Sequence, residues 1–276
     1  MSSAPSSSAV FRHLAGFFLC AGLFSWLLWL PLALGGPGQT GTSPLAILHL
    51  VGSLGPALSG LLWAWLTGGR EGLRRLVRRI AFRRIGWGWQ MAVWLGPFAL
   101  LVLAQLVARA NGAEVTPGEL APSAEYPAMP VAIYWLAVLF FYGFGEEIGW
   151  RGFALPMLQE RFSPFMATLG VAAIWAVWHW PLFLFSPGLS ALGAGGIAGW
   201  AASLLTGAFL LTVILNGTGG SVFAAAVFHA TMDIAFLGPS EVMMVVGALT
   251  TLLGLGALAW TLTRGRAENV TLLTRD

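Results

Sequence analysis

The sequence predicts an all-α fold, a polytopic membrane bundle of about eight transmembrane helices, on three observations. Of 276 residues, 57% are hydrophobic and only 9% charged, against roughly a quarter charged in a soluble domain. Mean hydropathy is +0.79, and 14 Trp and 18 Phe beside only 3 Tyr exceed what one water-facing core can hide, so lipid is the solvent for much of the surface. Third, the apolar residues fall into eight runs. At about 20 residues per crossing they need about 160, which this length accommodates.

Residues 1–13 begin with the Ser-rich stretch MSSAPSSSAV and are read as a disordered tail. The run from Leu14 to Leu34 is longer than the roughly 7–15-residue apolar core of a signal peptide, so it is read as a retained first helix. Further runs fall near 44–67, 87–108, 130–150, 168–186, 196–215, 220–238 and 242–262, separated by Gly, Pro and charge. The chain thus divides into N-terminal helices over 14–129, a core over 130–240, and a last helix with its tail over 241–276. The boundaries between 150 and 170 are the least sharply marked. The single Cys20 cannot form an intramolecular disulfide.

Charge sets the expected orientation. The linker 68–86 holds Arg70, Arg74, Arg75, Arg78, Arg79, Arg83 and Arg84 against Glu71 alone, which assigns it to the cytoplasmic side. Counting crossings from it places both termini inside, with Arg12, Arg264 and Arg266, and the loop 109–129 outside, with Glu114, Glu119 and Glu125 against Arg109. Within the linker, Leu73, Leu76, Val77 and Ile80 recur at helical spacing opposite the arginines, the pattern of an interfacial helix on anionic headgroups. The basic residues are all Arg, lie beside membrane segments and accompany no recognition motif, so nucleic acid is excluded as a partner.

An ionisable side chain at mid-membrane costs roughly 2.5–3.5 kcal/mol on insertion scales, so the few present here mark candidate chemistry. Glu147 and Arg151 are four apart with the acid N-terminal, the favourable orientation for a helical ion pair. Glu146 is offset from Arg151 by about 140° around the axis and is the better candidate for an unpaired, reactive carboxylate. His179 follows Trp175 by four, and Pro181 is expected to kink the helix just beyond it. His229 and Asp233 share one helix face, so Asp233 is positioned to fix the imidazole tautomer or to join it at one ligand. Counting depth at ~1.5 Å per residue puts His179 and His229 about 13–17 Å inside the cytoplasmic boundary but Glu146 nearer ~6 Å, so spacing alone does not make them level. His49 is read as structural.

The ordered set EExxxR (Glu146, Glu147, Arg151), aromatic-xxx-His (Trp175, His179) and HxxxD (His229, Asp233) resembles that of the CPBP intramembrane proteases, also called Abi, which include the type 2 CAAX prenyl endopeptidases and bacteriocin-processing or immunity proteins. The run EEIGWRGFALPMLQERFSPFMATL followed by IWAVWHWPLF is similar to bacterial members, and the resemblance spans about 130–240. It implies an intramembrane endopeptidase of the bacterial plasma membrane that cuts a peptide or protein substrate, in some members lipidated, near the cytoplasmic leaflet. By position it implies Glu146 as the base that activates water, Glu147 and Arg151 as structural partners, and His179, His229 and Asp233 as polarising groups. Trp175 stands where the family usually has Phe, a change expected to alter pocket shape more than chemistry. Asp233 stands where the prenyl endopeptidases have Asn, and a carboxylate donates no hydrogen bond unless protonated. His179, His229 and Asp233 also form a zinc-like donor set, although HExxH is absent, so a divalent metal and a metal-free mechanism both stay open. Two other classes use the same residues: a non-proteolytic scaffold or immunity factor, and a transporter or bis-His haem protein. A second EExxxR copy, which an inverted-repeat transporter would favour, is absent.

Overall fold

The computed structural model describes residues 7–37, 40, 43–82, 84–123 and 125–263. Residues 1–6 of the expected tail, and Arg83, Arg264 and Arg266 of the charge argument, lie outside them. The described residues form helices and connecting turns without a strand: α1 Ser7–Gly35, α2 Ala46–Gly52, α3 Gly55–Ile80, α4 Trp87–Trp94, α5 Gly96–Ala110, α6 Val131–Gln159, α7 Pro164–Trp178, α8 Ala194–Gly217, α9 Val222–Ala235 and α10 Ser240–Leu262. Among the described residues, six helical stretches are long and apolar enough to cross a membrane, α4 and α5 form a pair bent by 48°, and α9 is a shorter apolar helix. The eight apolar runs thus correspond to eight helical segments of an all-α polytopic membrane bundle.

The sequence explains the breaks. Pro97 has no N–H for the carbonyl of Val93, and the bend between α4 and α5 falls there. Pro56 and Pro164 sit in the first turns of α3 and α7, where a missing N–H costs nothing. Ser163 and Ser221 cap α7 and α9, accepting from Met166 N at 3.3 Å and Ala224 N at 3.2 Å.

Three boundaries differ from expectation. Helix α1 starts at Ser7, so 7–13 belong to the bundle; Val10 is buried, and the Phe11 ring packs 6.1 Å from Phe162. Helix α3 carries on into the arginine segment and breaks at Gly69 (φ 59°, ψ −153°), a conformation open to glycine. Helix α6 runs nine residues past Trp150, because Arg151 is buried and paired and therefore does not end the span.

Packing in the apolar interior is fastened by polar bonds between helices, as expected where lipid supplies no hydrophobic force between them. Ser25 of α1 donates to Gly52 O at 2.7 Å and accepts from the Trp178 indole at 2.9 Å, and Ser59 of α3 donates to Phe17 O at 2.7 Å. These bonds hold α1, α3 and α7 around Trp29, Trp150 and Trp178, all fully buried.

Candidate active site

The middle of α6 is not a regular α-helix. Wide π-helical turns at Leu139–Phe144 and Trp150–Ala154 flank one α-helical turn, Gly145–Gly149, which carries Glu146 and Glu147. Such insertions re-aim side chains and recur at functional sites. Gly149 permits the close approach of α3: a Cβ there would run into the Pro56 carbonyl. Because α6 continues to Gln159, Glu146 stands about 20 Å above the helix end.

Glu147 and Arg151, both buried, form one cluster with the half-buried His229. Arg151 Nη1 donates to Glu147 Oε1 at 3.1 Å, and His229 Nδ1 meets the same oxygen at 2.8 Å. Glu147 and Arg151 are 0% exposed. The i,i+4 ion pair is therefore present, with an additional partner from α9. Glu147, rather than Asp233, holds the His229 ring: a carboxylate bound to Nδ1–H leaves Nε2 as the ring's outward nitrogen. Asp233 makes no such bond, and its Oδ2 is buried without a hydrogen-bond partner among the described residues. The local i,i+4 spacing loses here to a carboxylate that tertiary packing brings closer.

Glu146 faces away from Arg151's hydrogen bonds and meets α7. The Trp175 indole donates Nε1–H to Glu146 Oε2 at 2.6 Å, both groups buried. Trp175 therefore contributes chemistry as well as shape, since phenylalanine has no ring donor. Its ring also lies 4.4 Å from the Arg151 guanidinium, a cation–π contact. His179 closes α7. The carbonyl of Trp175 can only accept, so His179 Nδ1 donates to it at 2.8 Å and Nε2 is left for other partners. Pro181 lies in the tighter 3₁₀ turn Trp180–Leu184 that replaces α-helix beyond His179.

A cavity of about 320 Å³ adjoins these groups, lined by Trp175 and His179 of α7, Trp200 and Ser203 of α8, and His229 and Asp233 of α9, with apolar residues between. Glu146 and Glu147 do not line it; each reaches it through a partner that does, Trp175 or His229. Trp200 and Ser203 were not marked by the sequence, where they read as ordinary residues of an apolar run. Among the described residues, no three His, Cys, Asp or Glu side chains gather closely enough to hold a metal ion. His179, His229 and Asp233 are thus not brought together as a three-ligand group among the described residues.

His49 belongs to a separate polar cluster. Its Nδ1 lies 3.1 Å from Tyr126 Oη and 3.3 Å from Tyr142 Oη, with Glu125 at 3.9 Å.

Helices α6, α7 and α9 thus define a polytopic membrane protein with a buried Glu, Trp and His constellation. Residues 128–235 match the family model for type II CAAX prenyl endopeptidase Rce1-like proteins, the group named by the motif resemblance. That stretch contains every residue of the constellation. A 37-residue segment is 49% identical to the CAAX prenyl protease 2 of Methanococcus maripaludis, covering 13% of this chain and 14% of that protein's length.

Proposed function

We propose that the chain is an intramembrane endopeptidase that hydrolyses a peptide bond near the cytoplasmic leaflet, with Glu146 activating the water. The observation that carries this reading is convergence: Glu146 and Glu147 of one span are met at 2.6 and 2.8 Å by Trp175 and His229 of two others. Three helices that each bear the cost of buried polar groups support one shared reaction site.

Glu147 is engaged by Arg151 and His229, which fits a structural role. Glu146 has one oxygen held by Trp175, which leaves Oε1 to accept a proton from water. The water oxygen then attacks the scissile carbonyl carbon, and the charge moves onto the carbonyl oxygen. A protonated His229, fixed through Nδ1 by Glu147, donates from Nε2 to that oxyanion, with His179 beside it on the cavity wall. Collapse breaks the C–N bond as the proton on Glu146 passes to the leaving amine, giving a carboxylic acid, which then loses its proton to solvent, and an amine. Asp233 is suited to orienting the amine side of the substrate.

The names of the matched family and relative support a prenylated C-a-a-X peptide as the first substrate to try, and the apolar cavity wall suits a lipidated chain. Full-length protein in lipid nanodiscs is mixed with farnesylated and unfarnesylated C-a-a-X peptides, and products are read by mass spectrometry. Cleavage by wild type, lost in Glu146→Gln, is expected; full cleavage by Glu146→Gln overturns the base assignment.

Orientation is part of the proposal: both termini and the arginine segment in the cytoplasm, in a bacterial plasma membrane. Leu76 of that segment packs against Gly152, about 1.5 turns below Glu147, which supports a site near the cytoplasmic face. In a Cys20→Ser background, an impermeant maleimide should label Pro117→Cys in intact cells and Arg70→Cys only after permeabilisation. The reverse pattern overturns the orientation.

A further inference from the structure

Pro156 in α6 has no N–H. A regular α-helix would have paired that N–H with the carbonyl of Gly152, and the π turn would have paired it with that of Arg151, so α6 is short of one backbone donor here. The guanidinium of Arg79, from the arginine segment of α3, supplies donors to both carbonyls. Its Nη1 reaches Gly152 O at 3.1 Å and its Nη2 reaches Arg151 O at 3.2 Å. The remaining nitrogen, Nε, donates to Gly220 O at 2.9 Å in the turn before α9. Gly220 has φ +84°, and a Cβ there would lie 3.2 Å from Arg79 Nε, so glycine serves both the turn and the close approach.

These three bonds join α6 to the start of α9, the same two helices that meet again where Glu147 Oε1 contacts His229 Nδ1. From Arg151 to Glu147 is about 6 Å along α6, and from Val222 to His229 about 10 Å along α9. We infer that Arg79 is a positioning residue, a three-pronged brace that sets the register of α6 against α9 and so the placement of Glu147 and His229 in the site. Its planar fork suits three carbonyls in fixed directions, which a lysine ammonium on a flexible stem does not reproduce. A shift of about 1 Å at reacting groups is enough to cost orders of magnitude in rate. The catalytic consequence rests on the endopeptidase reading; the brace itself does not.

The test compares Arg79→Lys and Arg79→Gln with Arg78→Gln, which removes a charge from an exposed neighbour in the same segment. Full-length proteins in nanodiscs are examined by amide hydrogen exchange over residues 145–155 and 219–230, and by kcat and KM on the farnesylated C-a-a-X peptide. Both Arg79 variants should speed exchange in the two regions and lower kcat by about tenfold or more with KM little changed, while Arg78→Gln matches wild type. Unchanged exchange in the Arg79 variants overturns the inference. So does full rescue by Lys, which would mean that charge suffices, or an equal loss in Arg78→Gln, which would mean that surface charge matters. If Arg79→Gln does not fold, Arg79→Lys carries the comparison. If wild type cleaves nothing, the endopeptidase reading falls and the exchange contrast still decides the brace.

Discussion

Trp175 donates its indole N–H to Glu146 across the α6–α7 contact at 2.6 Å, and the same ring stacks on the guanidinium of Arg151 at 4.4 Å. One side chain thus serves the carboxylate proposed to activate water and the cation that compensates its neighbour. Replacing the indole with a phenyl ring removes the donor while keeping an aromatic face, at the cost of some ring area. In Trp175→Phe the ring face survives and the hydrogen bond to a buried carboxylate is lost, about 1.5–3 kcal/mol. Thermal unfolding in nanodiscs should show a lower Tm while peptide cleavage persists; an unchanged Tm would mean that the bond contributes nothing.

The buried Glu147 and Arg151 pair predicts strong non-additivity. Glu147→Gln leaves Arg151 buried without its paired carboxylate and should destabilise by about 3–5 kcal/mol, whereas in Arg151→Met the contact of Glu147 with His229 remains and the loss should be smaller. The double variant removes both charges and should recover part of that loss, read from a double-mutant cycle of unfolding free energies. Additive losses would mean that the 3.1 Å contact carries no coupling.

His179 has two nitrogens with separable tasks. Asn in its place can keep a donor near the Trp175 carbonyl, where Nδ1 now sits at 2.8 Å, but offers nothing where Nε2 points. His179→Asn is expected to retain a near-wild-type Tm and lose about 10²–10⁴ in kcat. Wild-type turnover would remove His179 from the proposed chemistry.

Gly149 tests whether the α3–α6 contact positions the site. An added methyl meets backbone at Pro56, which cannot rotate away, so Gly149→Ala should cost about 1–3 kcal/mol through overpacking. Cleavage should fall with it, since Glu146 and Glu147 share that helical turn. Gly88→Ala, where a Cβ meets nothing within 4 Å, is the control expected to leave both measurements alone.

Local patterns carried much of this before any coordinates. Eight apolar runs, their length and their charge punctuation made the fold class legible, because lipid demands long apolar helices and tolerates little else. The Glu147 and Arg151 pair was equally legible, since residues four apart on one helix are neighbours by construction. The partners of Glu146 and His229 were not, because the contacts that decide them join residues 29 and 82 positions apart. Asp233 illustrates the same limit: its spacing from His229 made a bond available, and packing gave that imidazole to Glu147. Arg79 read as one of seven topology-setting arginines until its three backbone acceptors were brought together.

The amino-acid sequence on its own determined an all-α membrane bundle and which side chains were candidates for chemistry, because hydropathy, helical period and charge act over a turn or a span. Which carboxylate meets which imidazole, and that an indole N–H serves Glu146, only the tertiary structure decided. Such contacts depend on where separate helices cross and at what register, and in α6 that register is reset by two π turns and a proline whose missing donor another helix replaces.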